Sequence, residues 1–137
     1  MFMVGDILWL EGEEYICDVP DLQNFSGCVH YLDGVKFWFD KGLLQSPQDP
    51  ATGEWLPAQI FPNNRKCWYD KDKLQSFQDP KTKEWMPARI WSDGTIHFYD
   101  KGQLQSFQDP KTKEWMPAVI WDSGEKWWYD KGVRILE

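Results

Sequence analysis

The chain has 137 residues, carries a formal net charge of −7 and is 17% aromatic, with ten Trp. That length suits one ordinary domain, which buries roughly two-thirds of its unfolded surface. No basic stripe is present to neutralise phosphates, so direct nucleic-acid binding is not expected, and no apolar run approaches the roughly 20 residues of a membrane span.

The charge is uneven along the chain. Residues 1–40 hold eight acids and one base, whereas residues 41–137 hold fourteen of each. The acidic first part is expected either to remain solvated or to meet a basic protein partner. The N-terminus, MFMVGDILWLEGEE, has no basic flank, and Gly5-Asp6 interrupts its apolar stretch, so it does not read as a secretory signal. The three cysteines, Cys17, Cys28 and Cys67, have neither CxxC spacing nor an even count. They suit a reducing compartment, and the expected location is cytoplasmic.

Shifted by thirty residues, the chain falls on itself. LQSFQDPKTKEWMPA occurs at 74–88 and again at 104–118, and a looser LQSPQDPATGEWLPA occurs at 44–58. Residues 71–100 and 101–130 share 21 of 30 positions. The expected organisation of 1–137 is a single repeat domain. It comprises a divergent, acidic cap repeat within 1–40, repeats at 41–70, 71–100 and 101–130, and a terminal strand at 131–137.

Each copy predicts three short strands joined as a meander, and the fold class is all-β. In the last full copy the strands are LQSFQ, EWMPAVIW and KWWYD. Asp109-Pro110-Lys111-Thr112 predicts a first turn, because Asp bonds its own backbone and Pro presets φ. Gly34, Asn64, Gly94 and Gly124 mark a second turn of hairpin type. Lys-Gly at 41–42, 101–102 and 131–132 marks a third. No 3.6-residue apolar period is present to indicate a helix. On the middle strand Met86, Ala88 and Ile90 are expected on one face, and Trp85, Pro87 and Trp91 on the other. Position 96 and its equivalents, mostly lysine, are expected in water. Position 89, which varies among Val29, Gln59, Arg89 and Val119, is expected to be peripheral.

The chain starts and stops within a repeat. GDILWLEG at 5–12 resembles the last strand of a copy, and the terminal VRILE stands where a further copy would begin. Such staggered ends allow the first and last strands to pair, which removes exposed edges. A closed ring or barrel and an open solenoid are both consistent with this pattern.

Two family resemblances bear on function. The stretch WMPARIWSDGTIHFYDKGQLQS resembles MORN-type hairpin repeats and their phage-type relatives, over roughly 41–132. In those families each unit is a small β-hairpin and the array is a scaffold or binding surface; here the DPKTKEW turn lengthens the unit. VGDILWLEGEEY, with the later W-x-P-A-x-I and aromatic-Asp motifs, is similar to Tudor or SH3-like barrels. That resemblance implies aromatic cages for methylated Lys or Arg, here Trp91, Tyr99 and Asp100, and Trp121, Tyr129 and Asp130. A cation in such a cage gains roughly 1–2 kcal/mol.

Other candidate residues follow from the repetition itself. Trp55, Trp85 and Trp115 follow the proline turn; each is expected either to plug the core or to offer a sugar-stacking platform. Gln45, Gln75 and Gln105, with Gln48, Gln78 and Gln108, supply amides in the same register. Asp40, Asp70, Asp100 and Asp130 read as turn carboxylates bonding backbone amides, or as ligand contacts. His30 and His97 stand at different strand positions, and no metal set, calcium loop or Ser/His/Asp set is visible. Near-equal copies present the same groups several times, whereas catalysis needs one cluster of unlike groups. The expectation is therefore a non-catalytic module without a cofactor, of phage or bacterial type, that binds another protein. A multivalent lectin with a glycan partner and a methyl-lysine or methyl-arginine reader are the alternatives.

Overall fold

The computed structural model describes residues 7–10, 13–16, 26–30 and 34–135, and every regular element there is a β-strand. The first are β1 (Ile7–Leu10), β2 (Glu13–Ile16), β3 (Gly27–His30), β4 (Lys36–Asp40) and β5 (Leu43–Leu44). Next come two-residue strands: β6 (Gln59–Ile60), β7 (Lys66–Cys67), β8 (Tyr69–Asp70) and β9 (Lys73–Leu74). The following copy has β10 (Arg89–Ile90), β11 (Ile96–His97), β12 (Tyr99–Asp100) and β13 (Gln103–Leu104). The last strands are β14 (Val119–Ile120), β15 (Lys126–Asp130) and β16 (Val133–Ile135). Cys17, Phe25 and much of the acidic segment lie outside the described residues.

One antiparallel sheet of ten strands has the order β16-β15-β14-β11-β10-β7-β6-β4-β3, with β5 on β4. β8–β9 and β12–β13 form separate two-stranded hairpins. Among the described residues the large sheet is open, with β3 and β16 outermost, and no barrel closes. Of the two arrangements left open, pairing of first and last strands does not occur among the described residues: β1 pairs with β2, and β16 pairs with β15. Each end takes its sequence neighbour, because closing a short hairpin costs less chain entropy than joining the two ends of the chain.

The expected middle strand of each copy is split at its proline. Before Pro87, Trp85 bridges Gln78, and the Met86 N–H donates to the Phe77 carbonyl at 2.9 Å. After Pro87, the Ala88 N–H donates to the His97 carbonyl at 2.9 Å, and the Ala88 carbonyl accepts from the Trp68 N–H at 2.7 Å. Proline has no N–H with which to continue a ladder, so the chain changes partner there. The result is an isolated bridge followed by a two-residue strand, in place of one extended strand.

All three turn types form where the sequence places them. Asp109 Oδ1 accepts from the Lys111 and Thr112 amides, and Asp49 and Asp79 do the same in their copies. In the second turn the Trp91 N–H donates to the Thr95 carbonyl at 2.8 Å, with Gly94 at φ 97°. In the third turn Lys101 and Gly102 both have positive φ, 51° and 84°, the signature of a tight type I′ hairpin.

The core is small in volume and repetitive. Ala58, Ala88 and Ala118 are fully buried, and Trp68 and Phe98 are nearly so. Ser46, Ser76 and Ser106 are buried polar residues. The Ser76 hydroxyl accepts from the Tyr99 amide at 3.1 Å, while the Ser76 amide donates to the Tyr99 carbonyl at 2.8 Å. The equivalent bonds join Ser46 to Tyr69 and Ser106 to Tyr129. A buried hydroxyl satisfied in this way is worth about 1 kcal/mol, and its partner left bare would cost more.

Strand register places Val29, Phe37, Gln59, Cys67, Arg89, His97, Val119 and Trp127 directly opposite one another across the sheet. Opposed residues share a face. Val29, Cys67 and Val119 are buried, so position 89 lies in an inward row and is not peripheral as expected. The row mixes apolar residues with Gln59, Arg89 and His97. The adjacent row carries Lys36, Lys66 and Lys126, all exposed, as position 96 was expected to be.

Candidate functional site

Most of the repeated polar residues are consumed by the framework. Gln75 Oε1 accepts from the Lys101 amide at 2.8 Å, and its Nε2 donates to the Ser76 carbonyl and to Asp100 Oδ1. Gln105 does the same with Lys131, Ser106 and Asp130. Gln45 Oε1 accepts from the Lys71 amide. Gln48, Gln78 and Gln108 each donate Nε2 to a carbonyl of the following turn. Asp100 and Asp130 therefore bond glutamine amides, and Asp40 bonds the Ser26 hydroxyl, not the backbone amides the sequence implied. The turn carboxylates Asp79 and Asp109 have their pKa lowered because the amides of Thr82 and Lys81, or of Thr112 and Lys111, bond them.

The three equivalent tryptophans differ in their surroundings. Phe77 stacks on Trp55 with centroids 4.2 Å apart and planes at 14°, and Phe107 stacks on Trp85 at 4.0 Å and 17°. Each tryptophan is covered by the phenylalanine 22 residues later, which belongs to the next copy. Among the described residues Trp115 has no such ring, and it is 61% exposed. Its backbone is held like the others, since Trp55, Trp85 and Trp115 bridge Gln48, Gln78 and Gln108, and its carbonyl accepts from Trp128 Nε1 at 3.1 Å, as the Trp55 carbonyl accepts from Trp68 Nε1.

Two clefts meet at Trp115. The larger, about 530 Å³, is lined by Trp85, Phe107, Asp109, Lys113, Lys131 and neighbours. The smaller, about 240 Å³, is lined by Ser106, Trp128, Tyr129, Asp130 and Ile135. Gln105 and Asp130 line both.

The rings named for aromatic cages lie in a cation–aromatic strip. The Arg65 guanidinium lies 4.1 Å from the Phe61 centroid and 5.2 Å from that of Trp91. The Arg89 guanidinium lies 5.2 Å from Trp91 and 5.7 Å from Tyr99. The chain's own cations thus already face the Trp91 and Tyr99 rings that a methylated side chain would need. Trp121 packs edge-on against His97 and Trp127, while Tyr129 borders the Trp115 clefts. Asp100 and Asp130 point to Gln75 and Gln105. Arg134 covers Trp127 at 3.6 Å.

Within this strip both His97 ring nitrogens are buried without hydrogen-bond partners, and the same holds for Trp121 Nε1 and for the Nε atoms of Arg65 and Arg89. Burial and then the Arg89 charge hold the His97 pKa below the ordinary histidine value, with Asp93 opposing weakly. Burial raises the Tyr69 hydroxyl pKa, aided by Cys67, while Arg89 works the other way. Burial also pushes the Cys28 thiol up to about 11. Among the described residues no three of His, Cys, Asp and Glu come together as a metal site. Among the described residues no helix is long and apolar enough to cross a membrane.

Phe77, Phe107, Arg65 and Arg89 are site residues that sequence reasoning missed. The signal for the phenylalanines was the constant Trp-to-Phe separation. That separation gains meaning only when successive copies lie side by side.

Comparison of the chain with protein-family models, with curated proteins and with solved structures returns no significant match.

Proposed function

We propose that this chain is a non-catalytic protein-binding module, a tandem array of β-hairpin copies in which the copy at 101–130 presents an exposed tryptophan ring. The observation that carries the reading is Trp115, a large ring that is 61% exposed and sits between two clefts. Large, rigid aromatic side chains flanked by cavities are what protein interfaces use as anchors. The repeated Gln, Ser and turn Asp side chains are occupied by internal hydrogen bonds, which fits a scaffold role for them. The acidic residues of 1–40 remain the proposed contact for a basic partner.

The test is selection from a displayed random-peptide library on the whole protein, with Trp115→Ala selected in parallel. The expected outcome is a set of related peptides enriched on the native protein and lost on the variant. Absence of any enriched peptide would refute the reading.

A lectin is the second reading. It is favoured by the same accessible Trp115 ring standing beside the carboxylates Asp109 and Asp130 and the Lys131 ammonium. It offers one sugar platform and not three, because Phe77 and Phe107 already cover Trp55 and Trp85. A glycan array with Trp115-dependent signal would select it.

A further inference from the structure

The protein displays twice, in its own interior, what the Trp115 seat accommodates. Phe77 lies flat on Trp55, and three residues on, Pro80 lies against the turn glycine Gly53, whose Cβ, if present, would be 3.5 Å from the proline ring. Phe107 lies flat on Trp85 in the same way. In both cases the covering segment reads Leu-Gln-Ser-Phe-Gln-Asp-Pro. By the same spacing the cover for Trp115 would come from position 137, which is glutamate and has no ring.

We infer that the Trp115 seat docks an extended segment of a partner protein bearing a phenylalanine, in the manner of Phe77 and Phe107. The inference deepens the protein-binding reading above and rests on it. Three features of the seat favour this occupant. The ring is presented on the same backbone as its covered equivalents, so the stacking geometry is already set. The Ser106 hydroxyl and Gln105 amide are bonded internally, so the seat offers mainly apolar surface. Three carboxylates (Asp100, Asp109 and Asp130) and two ammonium groups (Lys113 and Lys131) border the larger cleft, so strong net charge is not what it selects. Aromatic stacking on a preformed ring adds to the area buried, and a preorganised seat lowers the entropic cost of binding.

The test uses the full chain and the synthetic peptide Leu-Gln-Ser-Phe-Gln-Asp-Pro, titrated calorimetrically. Saturable one-to-one binding is expected. Truncating a central aromatic anchor weakens such binding at least about tenfold, so Trp115→Ala and a peptide with alanine for phenylalanine should each show that loss. Trp115→Phe keeps a ring and should retain most of the affinity. Leu43→Ala, at an exposed residue of β5, should leave it unchanged. Circular dichroism of each variant establishes that the fold is intact. The inference is overturned if the peptide does not bind, or if it binds the Trp115→Ala variant as well as the native chain. It is equally overturned if Trp115-dependent binding is found only for oligosaccharides, or only for a second copy of the chain in sedimentation velocity. Failure of this peptide alongside other enriched library peptides would sink the phenylalanine seat and leave the protein-binding reading standing.

Discussion

Removing the ring of Phe107 separates two effects that the repetition confounds: filling a core, and joining one copy to the next. Phe107 is half-buried and stacks on Trp85 at 4.0 Å. Full burial of a phenylalanine is worth about 3–5 kcal/mol against alanine, so half burial implies about 2 kcal/mol. The stack itself adds about 0.5–1.5 kcal/mol beyond area. A double-mutant cycle of Phe107→Ala with Trp85→Ala should therefore show a coupling of about 1 kcal/mol. Urea unfolding followed by far-ultraviolet circular dichroism measures it without relying on tryptophan emission. Trp115→Ala is the internal control: the residue is the same and so is the backbone setting, but no ring among the described residues lies above it. It should cost no more than about 0.5 kcal/mol, the range of ordinary surface changes. If Trp115→Ala destabilises as much as Trp85→Ala, or if the cycle shows no coupling, the contact between copies is not what covers these rings.

Other substitutions test the remaining framework. Ser76→Ala deletes the buried hydroxyl that accepts from the part-buried Tyr99 amide and should cost about 1–3 kcal/mol in the same unfolding assay. His97 gives a pH dependence whose sign follows from its lowered pKa. The folded state binds the proton less readily than the unfolded state, so the contribution of His97 is complete above pH 6.5, its unperturbed value, and is lost as pH falls below that. His97→Phe, which introduces the residue found opposite Val29 and Gln59 at Phe37, should flatten that loss in midpoints measured between pH 7 and 5. The Cys28 thiol, pushed up to about 11, should alkylate slowly at pH 8. Its rate should rise about tenfold per pH unit, as read by mass-spectrometric peptide mapping.

Where the determinants were local, sequence and structure coincide. Asp49, Asp79 and Asp109 cap their own turns because a short carboxylate reaches amides two and three residues on. Gly94 and Gly102 stand where φ is positive, and Pro87 breaks a ladder because it lacks an N–H. These features need only a few neighbouring residues, so the all-β class and the bends could be read in advance. The inward place of Arg89 could not be, since it follows from opposing Cys67 and His97 on other strands. Nor could the roles of Gln75 and Asp100, whose amide–carboxylate bond joins residues 25 apart at opposite ends of one copy.

The thirty-residue period by itself determined that the same contacts would recur; it did not determine between which copies. Strand pairing across the sheet decided that the described sheet stays open and that Phe77 and Phe107 cover the tryptophans before them. Pairing register brings together residues far apart in the chain, and a ring's exposure depends on what the neighbouring copy sets against it. Trp55, Trp85 and Trp115 are for that reason equivalent as letters, while only the last of them presents an uncovered face.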